Sequence, residues 1–347
     1  MPDSFPAFTD AELEQARRVN RQLRWAPRFR APTRLGRMMI QTMLGAQAFM
    51  PLGVRGVTVS TRRIAWQGHS VSLRILKPTG KPRGVYLDYH GGGWSIGTAA
   101  MDDRVNARIA ADCGLTVVSV DYTTLPDIDL PGMIAQSAAA AHWVFEHMQS
   151  EFGTGELFIG GESAGAHLAA CAILRMRDSR GDFARLRGAV LFYGPYDLSC
   201  TPSVREAKAD TLVLDGPAMM SGIAKLLPGR GEEARRDPAV SPLYGNLAGL
   251  PSALLLCGTI DPLIDDSTLM AERWAAASGN VRLVIVPDAP HAFNRFCRRA
   301  LPRARTLSSA LGSTPAWLQM MPRPRERRSK LTAVSCSLAA PVSQGQQ

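Results

Sequence analysis

Leu157-Phe158-Ile159-Gly160-Gly161-Glu162-Ser163-Ala164-Gly165-Ala166-His167-Leu168-Ala169-Ala170-Cys171 is the stretch on which the fold turns. Its opening, Leu157–Ile159, is a short apolar run suited to a buried strand, and residues 164–176 have the composition of a helix. Between them, Gly161-Glu162-Ser163-Ala164-Gly165 fits G-x-S-x-G. Alone that pattern is weak, because a Gly-rich strand-to-helix turn with an incidental serine reads the same way. The strand–turn–helix setting makes Ser163 a candidate nucleophile. Flanking glycines permit a tight turn that projects the hydroxyl, and the N-terminus of the following helix favours developing negative charge.

Upstream, His90-Gly91-Gly92-Gly93-Trp94 follows the apolar run Gly84–Tyr89 directly. Successive glycines let backbone N–H groups approach a substrate oxygen without side-chain obstruction. Together with the Ala164 amide they would stabilise an oxyanion, an effect worth a few kcal/mol per donor. Taken alone, the glycine run would also suit a phosphate. The spacing is not that of a dinucleotide-binding G-x-G-x-x-G, however, and no G-x-x-x-x-G-K-[ST] occurs. His90 reads as a residue that orders this loop through hydrogen bonds rather than as a base.

A serine nucleophile needs a histidine to take its proton and a carboxylate to hold the imidazole tautomer. Beyond Ser163 only His167 and His291 remain, and His167 lies too close along the same helix. His291 sits in Pro287-Asp288-Ala289-Pro290-His291-Ala292-Phe293, just after the strand-like run Val281–Val286, where catalytic groups of open α/β sheets collect. Asp261 follows the apolar run 253–257 and is the favoured acid. Asp265 and Asp266 are rivals that read better as caps of a helix starting near Ser267.

Outward from these motifs, Val57–Trp66 and 71–77 alternate and read as an antiparallel pair. Apolar runs at 84–89, 115–120, 157–159, 189–193, 253–257 and 281–286 alternate with helical stretches at 133–148, 164–176 and 267–277. That alternation predicts a mostly parallel central sheet flanked by helices. A helix is expected over 10–24, after the capping-box pattern at Thr9, and a second over 34–48. Residues 198–245 carry no convincing strand. Expected organisation is therefore a helical cap segment over 1–56, a catalytic domain over 57–320 with 198–245 contributing to the cap, a last helix over 303–320, and a disordered tail over 321–347.

Composition is that of a globular chain, with 46% hydrophobic and 20% charged residues. The net charge of +10 would suggest nucleic acid or lipid, but residues from Arg298 onward hold nine basic groups and one acid. The remainder carries only +2, so the excess reads as a solvated tail and no nucleic acid is expected. Six scattered cysteines lack C-x-x-C or zinc spacing, so no metal is expected. Without a signal peptide or a membrane-span pattern, a cytoplasmic protein is the default.

The ordered set His90-Gly91-Gly92-Gly93-Trp94, Gly161-Glu162-Ser163-Ala164-Gly165, Asp237–Leu243, Asp261–Asp265 and His291-Ala292-Phe293 resembles the hormone-sensitive-lipase-like group of α/β-hydrolases, the bacterial family IV esterases. The resemblance covers residues 57–320. It implies an α/β-hydrolase fold with a helical cap, and Ser163, Asp261 and His291 as a triad. It also implies Gly92, Gly93 and Ala164 as oxyanion donors, with His90, Gly91, Trp94 and Glu162 in support. Small esters of short to medium acyl chain are the implied substrates, with no cofactor and a monomeric or homodimeric state. Departures are Thr123 and Thr124 after Asp121-Tyr122, Gln136 in place of a usual acid, and Glu162 where Asp is commoner. Two alternatives remain open: an amidase, arylformamidase or peptidase on the same triad, and a non-catalytic receptor built on the hydrolase pocket.

Overall fold

The computed structural model describes residues 9–296, apart from positions 27, 31, 181 and 182. In chain order the elements are α1 (Asp10–Leu23), α2 (Arg34–Ala46), β1 (Val57–Trp66), β2 (His69–Pro78), β3 (Gly84–Tyr89), α3 (Asp103–Cys113), β4 (Leu115–Asp121) and α4 (Leu130–Phe152). After these come β5 (Leu157–Glu162), α5 (Ala164–Ser179), β6 (Leu186–Phe192), α6 (Pro202–Glu206), α7 (Gly216–Leu226) and α8 (Glu232–Arg235). The series ends with β7 (Ser252–Gly258), α9 (Ile264–Ser278), β8 (Val281–Val286) and α10 (Phe293–Phe296). The expected helix at 303–320, the basic tail, Cys297 and Cys336 lie outside the described residues.

The eight strands form one sheet in the order β1-β2-β4-β3-β5-β6-β7-β8. β1 and β2 pair antiparallel through a two-residue turn at Gln67-Gly68, both at positive φ, the geometry that matches strand twist in a hairpin. From β4 to β8 every pairing is parallel. All six residues of β3 are buried, as expected for a strand covered on both faces.

One topological feature positions the site. From β3 the chain moves outward to β4 and then returns across β3 to β5. Loops leaving β3 and β5 therefore diverge at the same edge of the sheet, where a crevice opens beyond the strand ends. The register sets Tyr89 beside Gly161, which brings the glycine loop next to the serine turn.

α4 and α5 cover one face, with Met270 and Trp274 of α9 in the same core, and α3 covers the other together with Ala16 of α1. α4 is longer than the 133–148 expected, because Asp129 caps its N-terminus by accepting from Gly132 N at 2.9 Å and Gly153 closes it in the left-handed region. α2 stops at Ala46, two residues short of expectation, and tightens into a 3-10 turn over Gln47–Phe49.

The segment 198–245 forms α6, α7 and α8 and is tied to the N-terminal region. Phe29 N donates to Val213 O at 2.7 Å, Arg28 donates to Asp210 O at 2.9 Å, and Arg30 pairs with buried Asp215 at 2.8 Å. Residues far apart in sequence thus form one layer over the carboxyl edge of the sheet.

Candidate active site

Ser163 sits between β5 and α5 at φ 54 and ψ −122, a strained conformation for a residue with a Cβ. The turn is closed by its own amide, which donates to Phe192 O at 2.9 Å. Glycine at position 165 is required by close packing: a Cβ there would run into the carbonyl oxygens of Tyr89 and His90. The elbow can therefore press against the end of β3 only because that side chain is missing.

Three strand ends contribute to one hydrogen-bonded chain. Ser163 Oγ lies 3.0 Å from His291 Nε2, and His291 Nδ1 lies 2.9 Å from Asp261 Oδ2 and 3.2 Å from Oδ1. Asp261 is buried, and its Oδ1 also accepts from Leu263 N at 2.9 Å. A buried carboxylate facing Nδ1 favours a proton there, which leaves Nε2 free to accept from the serine. Since β6 lies between β5 and β7, the histidine must reach across that strand's end. The Tyr193 ring fills the gap, edge-on to His291 with centroids 4.7 Å apart.

The rival acids are engaged elsewhere. Asp265 accepts from Ser203 N at 2.8 Å. Asp266 is buried and accepts from Tyr196 N, Asp197 N and the Thr201 hydroxyl, while burial pushes its carboxyl up to about 7. Neither caps a helix start near Ser267, as the sequence suggested. α9 begins at Ile264, so both acids lie in its first turn and hold the loops 196–203 instead.

His90 is buried, stacks on Tyr122 with centroids 4.2 Å apart, and shares its Nδ1 proton with Gly91 O at 2.8 Å. Tyr122 donates to His90 O at 2.7 Å. Burial pushes the imidazole down to about 4, so it is neutral and structural. The same holds for His167, also lowered to about 4 by burial, which donates from Nε2 to Val240 O at 2.7 Å and accepts from Trp94 Nε1 at 3.3 Å. Trp94 therefore both packs and borders the cavity.

Gly92 and Gly93 lie at φ 125 and 57, and a Cβ on Gly92 would meet the Ile96 carbonyl. Among the described residues neither amide donates to a protein acceptor, and Ala164, first residue of α5, has no intrahelical acceptor for its own. A cavity of about 230 Å³ opens over Ser163 and His291. It is bounded by these glycines below and by Phe29, Val213, Leu214 and Met219 from the overlying layer.

Sequence reasoning missed a polar clamp beside the site. Arg295 donates to Glu162 at 2.9 Å and to Asp102 at 2.6 Å, and Asn294 joins Tyr193 OH to Glu162 by short hydrogen bonds. Burial opposes the Arg295 charge, but Asp102 and Glu162 offset it and hold the guanidinium protonated. The signal available was Asn294-Arg295 directly after His291-Ala292-Phe293, with an acid beside the serine. Gln136 fills the place of the usual acid by accepting from Thr123 N at 2.9 Å.

A family model described as the alpha/beta hydrolase fold matches residues 86–295. The chain is 31% identical over 301 residues to a carboxylesterase, NlhH, of Mycobacterium tuberculosis, covering 85% of this chain and 86% of that protein. A hyperthermophilic esterase from the archaeon Pyrobaculum calidifontis superposes with a TM-score of 0.74 at 27% identity, covering 88% of this chain and 97% of its own. An esterase from the bacterial hormone-sensitive lipase family does so with 0.71 at 25%, covering 91% and 99%.

Proposed function

The chain belongs to the α/β-hydrolase family, in its hormone-sensitive-lipase-like group, and from that premise we propose that it hydrolyses carboxylic esters of short to medium acyl chain through Ser163, His291 and Asp261. It is a carboxylic ester hydrolase by kinship with carboxylesterases. The observation that carries the finer reading is the unbroken line Ser163–His291–Asp261 facing the free amides of Gly92, Gly93 and Ala164 in one cavity.

In the first step His291 Nε2 takes the Ser163 proton as Oγ adds to the ester carbonyl carbon, and the carbonyl oxygen becomes an oxyanion held by the three amides. As the tetrahedral intermediate collapses, the C–O bond to the alcohol breaks and His291 returns the proton to that leaving group. A water, deprotonated by the same imidazole, then adds to the acyl-serine and releases the acid. Asp261 stabilises the imidazolium formed in each half and holds its orientation.

Phe29, from the N-terminal region, and Val213, Leu214 and Met219, from the 198–245 segment, act as the cap in this reading, because they close the cavity from above. At about 230 Å³ the cavity falls below the roughly 300–1,000 Å³ of common small-molecule sites, which favours the short end of the acyl range. The test is hydrolysis of p-nitrophenyl acetate, butyrate and decanoate by the parent and by Ser163→Ala. Turnover that is fastest on acetate or butyrate and lost in the folded variant supports the reading. A folded parent inert on all three esters overturns it.

A further inference from the structure

Helix α2 turns outward a face that its residues would ordinarily bury. Leu35, Met38, Met39 and Met43 recur at three- and four-residue spacing, so they share one side, and each is 61–64% exposed. The opposite side is already occupied. Leu44 is buried, Gln41 accepts from Gly97 N at 2.8 Å, and Arg37 donates to Ser95 O at 3.1 Å and pairs with Asp127 at 2.6 Å. These anchors fix the orientation of the helix. Phe49 and Met50, in and just after the turn that follows α2, are also exposed, and Trp25 stands 92% exposed on the same N-terminal segment. Seven of the eleven large apolar side chains exposed among the described residues fall between 25 and 50, so exposed apolar surface is concentrated on this segment.

The charge on this segment has one sign. No Asp or Glu occurs from Gln15 to Leu87, and eight arginines lie from Arg17 to Arg37. Four are matched within the fold: Arg17 by Asp288, Arg21 by Glu14, Arg30 by Asp215 and Arg37 by Asp127. Arg28 is committed to the carbonyl oxygens of residues 23, 24, 26 and 210. Arg18, Arg24 and Arg34 are exposed and form no ion pair with any described carboxylate. Arg24 adjoins Trp25, and Arg34 adjoins Leu35.

An apolar stripe headed by unmatched Arg34, on a segment with no acidic residue and a further unmatched arginine at position 24, is complementary to a surface that is apolar within and anionic at its boundary. A second copy of the chain in an isologous contact would set like charges against each other. We propose that the segment 24–50 docks on an anionic lipid surface through α2. Leu35, Met38, Met39, Met43 and Phe49 enter the acyl boundary, while Arg24 and Arg34 stay at the level of the phosphates. Among the described residues no helix is long and apolar enough to cross a membrane, so the contact is peripheral.

The test uses the full chain and vesicles of phosphatidylcholine with phosphatidylglycerol, roughly three to one, beside vesicles of pure phosphatidylcholine. Basic residues after position 297 can hold anionic vesicles by charge alone, so the deciding variant leaves them intact. It is the double substitution Met39→Glu with Met43→Glu, at exposed positions away from the inner face of α2. Expected is co-sedimentation of the parent with the mixed vesicles and about tenfold weaker partition of the double variant, with unchanged hydrolysis of soluble p-nitrophenyl acetate. The proposal is overturned if the parent stays in the supernatant, or if the variant partitions like the parent and the C-terminal basic residues carry the binding. It is overturned equally if the parent is a dimer in solution that the variant converts to monomer, because the face then belongs to a second copy. Binding is read without turnover, so its outcome is separate from that of ester hydrolysis.

Discussion

Arg295 and Glu162 form a 2.9 Å ion pair that ties the turn after His291 to the residue before Ser163. The two loops that must meet for the proposed proton transfer are therefore clamped one residue from the serine and four from the histidine. Asp102 supplies a second carboxylate to the same guanidinium at 2.6 Å.

Replacing Arg295 with Met leaves buried Asp102 and part-buried Glu162 without their shared cation. Breaking such a pair from one side costs about 3 kcal/mol or more. Urea unfolding of Arg295→Met should show that loss. Esterase assays on the folded fraction should show kcat reduced by roughly tenfold or more with KM little changed, as expected when geometry rather than binding is disturbed. A variant with parental stability and kcat would mean the clamp has no positioning role.

Asp261→Asn keeps the side-chain shape but offers His291 an N–H where an acceptor is needed. The imidazole then favours the tautomer that carries its proton on Nε2, which cannot take one from Ser163. A fall in kcat of about 10⁴-fold at neutral pH is expected. Substitution of Asp265 by Asn should leave kcat within about threefold of the parent, since that acid bonds Ser203 and not the histidine.

Burial holds His167 down to about 4, whereas an unfolded chain has an ordinary histidine near 6.5. Above pH 6.5 both states are neutral and the group has no pH-dependent effect. As pH falls from 6.5 towards 4, the unfolded chain gains a proton that the folded chain refuses, so stability declines across that window. At pH 5 the decline is on the order of 2 kcal/mol. Urea midpoints at pH 7.5 and pH 5 should therefore separate less in His167→Gln than in the parent. An equal separation in both would show that His167 does not titrate this way.

Gly165→Ala places a methyl group against the backbone carbonyls of Tyr89 and His90, which belong to the central strand and the loop after it and cannot yield as a side chain would. Stability should drop by about 3 kcal/mol and the melting temperature by roughly 5–10 °C. Differential scanning calorimetry measures this directly. Gly222→Ala in α7, where an added Cβ meets nothing within 4 Å, is the control and should be neutral or slightly stabilising.

Much was legible along the chain because the decisive signals are local. A strand, a glycine-bounded serine and a helix occupy consecutive residues, so Leu157–Cys171 identified the elbow, and the glycine run after Tyr89 and the histidine after Val286 were readable in the same way. Helix ends and the duties of Asp265 and Asp266 were less legible, because those depend on which loop packs alongside. The pairing of Glu162 with Asn294 and Arg295 was hidden for a related reason: Glu162, read from its motif as a supporting residue, stands 133 positions from Arg295, and pattern alone does not pair them.

The sequence by itself determined the alternation of strands and helices, the candidate reacting residue types and their chain order, since periodicity and backbone permissiveness act over a few residues. Only the tertiary structure decided that Asp261, and neither neighbouring acid, faces His291. The clamp through Arg295, the shared cover of residues 28–30 and 210–219 over the cavity, and the outward face of α2 were decided there too. Each depends on loops from separate strand ends converging at one edge of a twisted sheet, and that convergence is set by strand order and packing rather than by any local run of residues.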